Sequence, residues 1–158
     1  MNTIKKTVAA ATALAAILLL ANSAPAQDCG NLCSASFWET ATVSDVKREL
    51  AQGVDPRART GSGSTPLHWA VIHSETPAVV ELLLDRGADL KARGKGGETP
   101  LHVAALASKT PEIVELLLDC GANPKAKDDK GKVPFNFAKK NKALANTNVY
   151  WRLNEGTY

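Results

Sequence analysis

The hexamer Thr65-Pro66-Leu67-His68-Trp69-Ala70 returns 34 residues later as Thr99-Pro100-Leu101-His102-Val103-Ala104. It returns after another 34 in a decayed form, Val133-Pro134-Phe135-Asn136-Phe137-Ala138. A fixed period in this range marks a stacked repeat array, in which each unit buries its apolar face only against its neighbours. Each copy also carries a helix start. A Thr hydroxyl accepts from a free amide of the first turn. Proline at the first helical position gives up an amide that has no intrahelical partner, and its φ is already helical. Leu67 and Leu101 then open the apolar face.

The residues that follow repeat in the same register. Val79-Val80-Glu81-Leu82-Leu83-Leu84-Asp85-Arg86-Gly87-Ala88-Asp89 is matched by Ile113-Val114-Glu115-Leu116-Leu117-Leu118-Asp119-Cys120-Gly121-Ala122-Asn123. Thr76-Pro77 and Thr110-Pro111 cap these second helices, and Gly87 and Gly121 suit left-handed C-terminal caps. Together the two blocks resemble the ankyrin repeat signature. The resemblance covers residues 30–158 and implies an all-α solenoid of helix-turn-helix units joined by short β-hairpin-like fingers. About four units are expected, both caps included. The expected division is 27–64 for an N-terminal capping repeat, 65–98 and 99–131 for two full repeats, and 132–158 for a C-terminal cap. The period is one residue longer than the family's usual 33, and the extra residue is assigned to the surface links before Thr76 and Thr110.

Ahead of the array, Lys5 and Lys6 are the only charged residues before Gln27. An Ala- and Leu-rich run and Ala24-Pro25-Ala26 follow. Basic start, apolar middle and Ala-x-Ala end predict a signal peptide over 1–26 of bacterial type, cleaved before Gln27. Removing 26 of 158 residues leaves 132, enough for one domain with its own core. The leader holds two of the 19 basic residues and no acidic one, so cleavage lowers the formal charge from +3 to +1. That balance argues against a nucleic-acid protein. The expected location is the periplasm or the medium, with no membrane span left after cleavage.

Export bears on the cysteines. In an oxidising compartment Cys29 and Cys33 are a candidate disulfide, closing a very small loop at the chain's first turn. Two reduced structural thiols are the alternative. Neither zinc nor Cys-x-x-Cys redox chemistry fits the spacing. Cys120 is the odd thiol, on the last turn of a second helix. In the cap, Thr42 and Asp45 form a capping-box pattern, and Val46, Glu49 and Leu50 continue a helix stopped by Gly53. At the other end Asn146-Thr147 is placed to cap a last helix, whose Val149, Tyr150, Trp151 and Leu153 close the core.

His68 and His102 recur one period apart. A metal pair is one reading. The resemblance implies instead that each binds the backbone of the adjacent finger, as part of the structural motif Thr65, Pro66, Leu67, His68 and Thr99, Pro100, Leu101, His102. It also implies that a partner docks on finger tips and the exposed side of the first helices. By register these positions are Ile72 and His73, with Gly61, Ser62 and Ser64, in the first unit. In the second they are Lys95, Glu98, Leu106 and Ala107, with Gly96. In the third they are Lys130 and Lys132, with Asp129, Lys140 and Asn141. Ile72 and Leu106 lie 34 apart and are expected to be neighbours. A column of basic finger residues, Arg57, Arg59, Lys91, Arg93, Lys125 and Lys127, would form a positive ridge.

The sequence holds no nucleophile–base pair, carboxylate cluster, metal-ligand spacing or phosphate loop. The expected function is therefore non-catalytic: an exported, monomeric module without cofactor that binds another protein, such as an envelope enzyme or effector. The alternative is a small envelope stress protein that responds to oxidants through its cysteines.

Overall fold

The computed structural model describes residues 29–155. The expected leader, 1–26, lies outside the described residues. Eight helices occur among them: α1 (Ala35–Trp38), α2 (Val43–Ala51), α3 (Pro66–His73), α4 (Pro77–Asp85), α5 (Pro100–Ala107), α6 (Pro111–Asp119), α7 (Pro134–Ala138) and α8 (Asn148–Glu155). The odd-numbered helices stack on one another in sequence order, and so do the even-numbered ones. The pairs α3–α4, α5–α6 and α7–α8 pack as helical hairpins, and with α1 and α2 at the head of each row they form a two-row array.

Local chemistry sets the helix ends. Thr65 and Thr99 are extended, and Pro66 and Pro100 begin the helices behind them. Thr42 and Asp45 form the reciprocal capping box, with each side chain on the other's amide. The second helices stop at Gly53, Gly87 and Gly121, whose φ values of 97°, 90° and 89° lie in the left-handed region. In two of these turns the chain closes on itself by Ala88 N–H to Leu83 O and Ala122 N–H to Leu117 O, both 2.9 Å.

The core lies between the two rows. Leu67, Ala70, Val71, Val80 and Leu83 are fully buried, as are Leu101, Ala104, Ala105, Val114 and Leu117. Each buried branched side chain contributes roughly 1.5–3 kcal/mol. The alanines at 70, 104 and 138 recur on the contact face between first helices, where a small side chain permits close approach.

Both ends depart from the repeat. Cys29 and Cys33 are joined by a disulfide across a 3-10 turn (Gly30–Cys33), with Cα atoms 5.6 Å apart. The turn buries Leu32, whose carbonyl accepts from the Trp38 indole at 2.9 Å. Glu49, in register with Leu83 and Leu117, occupies a core position and is 8% exposed. The Asn31 side-chain amide covers it at 3.2 Å from each carboxylate oxygen. At the other end α7 stops at Ala138, and Lys139, Lys140 and Lys142 lie in the turns beyond it. Val149 and Leu153 close the core, whereas Trp151 is 53% exposed. Arg152 ties α8 to α6 through Asp119 at 2.7 Å and Glu115 at 3.4 Å.

No strand occurs among the described residues. The three fingers share one turn instead: Thr60, Gly94 and Asp128 amides donate to Ser64, Glu98 and Lys132 carbonyls at 2.9, 2.8 and 2.9 Å.

Candidate functional site

The first helices and the fingers beside them make one continuous face. Its floor is a column at 34-residue spacing, Trp69, Val103 and Phe137, each half-buried. A second column runs alongside: Ile72 half-buried, Leu106 45% exposed and Lys140 exposed. Two grooves cross the face. One, of about 270 Å³, lies between α3 and α5 and is lined by Ser64, Trp69, Ile72, Lys95, Glu98 and Val103 among others. The other, of about 330 Å³, lies between α5 and α7 and is lined by Leu106, Lys132, Asn136, Phe137 and Lys140.

The expected partner-facing residues therefore separate into groups. Ile72, Lys95 and Glu98 share the first groove; Leu106 and Lys132 share the second. Lys130 is exposed at the third finger, and Ala107 is half-buried at the end of α5. His73 stacks on Trp69, ring centroids 5.9 Å apart, but lines a third hollow of about 310 Å³ beside Trp38, Glu75 and Thr76. Asn141 is internal to the array: its amide donates to Ser108 O at 2.9 Å. The column at 69, 103 and 137 escaped the sequence reading. Its signal was present in the fifth position of each hexamer, where bulky Trp, Val and Phe alternate with the invariably small sixth residue.

The finger arginines are occupied. Arg57 Nε donates to Gly87 O at 2.6 Å. Arg59 donates to Arg93 O at 2.9 Å, and Arg93 donates to Lys127 O at the same distance. Each thus staples its finger to the next one. Arg93 also pairs with Asp129 at 3.0 Å. Gly97 leaves room for that pair, because a Cβ there would meet both Asp129 and Arg93. Lys91, Lys125 and Lys127 are exposed. The positive column is thus built of three arginines committed to backbone contacts and three exposed lysines.

The histidines perform the complementary tie from the helix side. His68 Nε2 lies 3.1 Å from Glu98 O, and His102 Nε2 lies 3.0 Å from Lys132 O. On the other ring nitrogen, Thr65 and Thr99 amides donate to Nδ1 at 3.2 and 3.1 Å. A carbonyl at Nε2 and an amide at Nδ1 define the neutral imidazole with its proton on Nε2. Burial holds both histidines below the ordinary imidazole pKa, and the carbonyl bond only partly offsets it. Asn136 replaces the motif histidine in the third unit. Its Oδ1 still accepts the Val133 amide at 2.9 Å, and no finger follows it among the described residues.

Among the described residues, no three His, Cys, Asp or Glu side chains gather as metal ligands, and no helix is long and apolar enough to cross a membrane. A family model described as ankyrin repeats in three copies matches residues 34–128. The chain belongs to the ankyrin-repeat family. Such arrays are protein–protein interaction modules. No curated protein matches the chain.

Proposed function

We propose that this ankyrin array is an exported, non-catalytic module that docks one partner protein across its two grooves. The observation that carries the reading is the continuous apolar column Trp69–Val103–Phe137 flanked by Ile72 and the exposed Leu106. Scattered apolar residues on a surface need no explanation; a register-aligned column lining two grooves does. The array supplies rigidity, because histidine and arginine ties between successive units preset the face and so reduce the ordering cost of association. Export rests on the basic-apolar-Ala-x-Ala leader at 1–26 and agrees with a disulfide at Cys29 and Cys33.

The test is capture by the immobilised chain beside the double variant Ile72→Glu, Leu106→Glu, with circular dichroism as the folding control. A captured protein that is lost with the folded variant supports docking on this face. Equal capture by the variant refutes it. Mass spectrometry of the mature N-terminus after cell fractionation tests export: a chain beginning at Met1 in the cytoplasm rules it out.

A further inference from the structure

We infer that the partner presents an acidic segment whose apolar anchors sit among carboxylates, with the carboxylates over the C-terminal groove. The inference rests on the docking face proposed above and names the chemistry that face selects. Its basis is the uneven distribution of charge. Residues 125–142 hold seven lysines and two aspartates, whereas residues 27–124 hold 13 acidic and nine basic side chains. A nearly neutral protein is therefore strongly polarised, with its positive end at the third finger and the cap behind it.

The two aspartates in that stretch offset only part of the charge of its seven lysines. Asp128 is buried and accepts the Lys132 and Lys130 amides at 2.7 and 2.9 Å. Asp129 is paired with Arg93. Meanwhile Lys132 and Lys140 line the same groove as Leu106 and Phe137, and Lys130 is exposed on the same finger as Lys132. Apolar walls rimmed by ammonium groups match a ligand with an apolar anchor beside carboxylates.

The recess decides between sources of negative charge. A flat bilayer would meet only the raised finger tips, and a simple polyanion has no group to fill the space between Leu106 and Phe137. A peptide segment does both. The two grooves also set a spacing. Packed helices lie about 8–10 Å apart, and in an extended polyproline-type chain residues three apart share a face about 9 Å apart. Anchors three residues apart would therefore enter both grooves.

The test is selection of displayed random peptides of about twelve residues, long enough at roughly 40 Å to cross both grooves, against the full chain. The enriched peptides are expected to place Asp or Glu beside Leu, Ile or Phe anchors three apart. Their affinity should fall at least about fivefold for Lys132→Glu, Lys140→Glu and fall further with added salt. The variant Lys132→Arg, Lys140→Arg should retain binding, and all variants should melt as the parent does, since these side chains are exposed. Neutral or basic peptides that are lost with Ile72→Glu, Leu106→Glu but ignore charge reversal overturn the acidic partner and leave the docking face standing. Peptides indifferent to both variants, or no enrichment, overturn both. Binding to anionic lipid vesicles without acidic-peptide enrichment overturns the inference in favour of a membrane surface.

Discussion

Replacing His102 by alanine removes a ring that serves two repeats at once. The side chain is fully buried. Its loss orphans the Thr99 amide, bonded at 3.1 Å, and takes from the Lys132 carbonyl its bond of 3.0 Å, leaving that oxygen only the Asp128 amide at 2.9 Å. An unsatisfied buried polar group costs about 1–3 kcal/mol, and the space left by the ring adds a cavity term. The expected loss is about 3–5 kcal/mol, a large share of the roughly 5–15 kcal/mol of a typical domain. His102→Asn separates the two ties. Its Oδ1 can take the Thr99 amide as Asn136 takes that of Val133, but it is too short to reach Lys132. The asparagine variant should therefore lose only about 1–2 kcal/mol. Urea unfolding followed by circular dichroism measures both. Equal losses in the two variants would show that the local cap contributes nothing. Losses under about 0.5 kcal/mol in both, within the range of a neutral surface change, would refute the histidine as an inter-repeat tie.

Because burial depresses the pKa of His68 and His102, the unfolded chain binds protons that the folded chain refuses. Their contribution is complete above the unfolded value of about 6.5 and is lost as pH falls towards the depressed folded values, at up to about 1.4 kcal/mol per pH unit for each histidine. The difference in pH dependence between the parent and His68→Asn, His102→Asn, measured from pH 7 to 5, should show this slope; identical curves would exclude it. Gly97→Ala should cost more than Gly121→Ala in thermal melts, since both have positive φ but only at Gly97 does a Cβ meet the Arg93–Asp129 pair. The φ penalty alone is about 1 kcal/mol. Cys29→Ser, Cys33→Ser should lower stability by about 2 kcal/mol on the chain-entropy model, and dithiothreitol should lower the melting temperature of the parent but not of the variant. Glu49→Leu should remove the sensitivity to Asn31→Ala, which in the parent uncovers a buried carboxylate. A double-mutant cycle without coupling would show that the two side chains act independently.

Much of the architecture was legible because its signals act over a single turn. Thr-Pro pairs begin α3 and α5, the Thr42–Asp45 box begins α2, and Gly87 and Gly121 end α4 and α6, each through chemistry within four or five residues. Departures appear where the repeat decays. The lysines beyond Ala138 carry helical spacing, yet α7 stops, and Trp151 faces solvent although it sits in an aromatic cluster. The candidate face was legible in part: Ile72 and Leu106 follow from register, whereas Trp69, Val103 and Phe137 look like interior positions until α3, α5 and α7 are set side by side.

The sequence by itself determined the period and the helix ends, because the φ preferences of Pro and Gly and the Thr42–Asp45 box need no distant partner; the Thr65, Thr76, Thr99 and Thr110 hydroxyls make no cap bond. Only the tertiary structure decided what the charged and polar side chains do. Arg59 and Arg93 reach carbonyls 34 residues away, His68 and His102 reach carbonyls 30 away, and Asn31 covers Glu49 from 18 away. Such partners exist only once one unit is seated on the next. The placement of every unit depends on the packing of its neighbours rather than on any property of the residue itself.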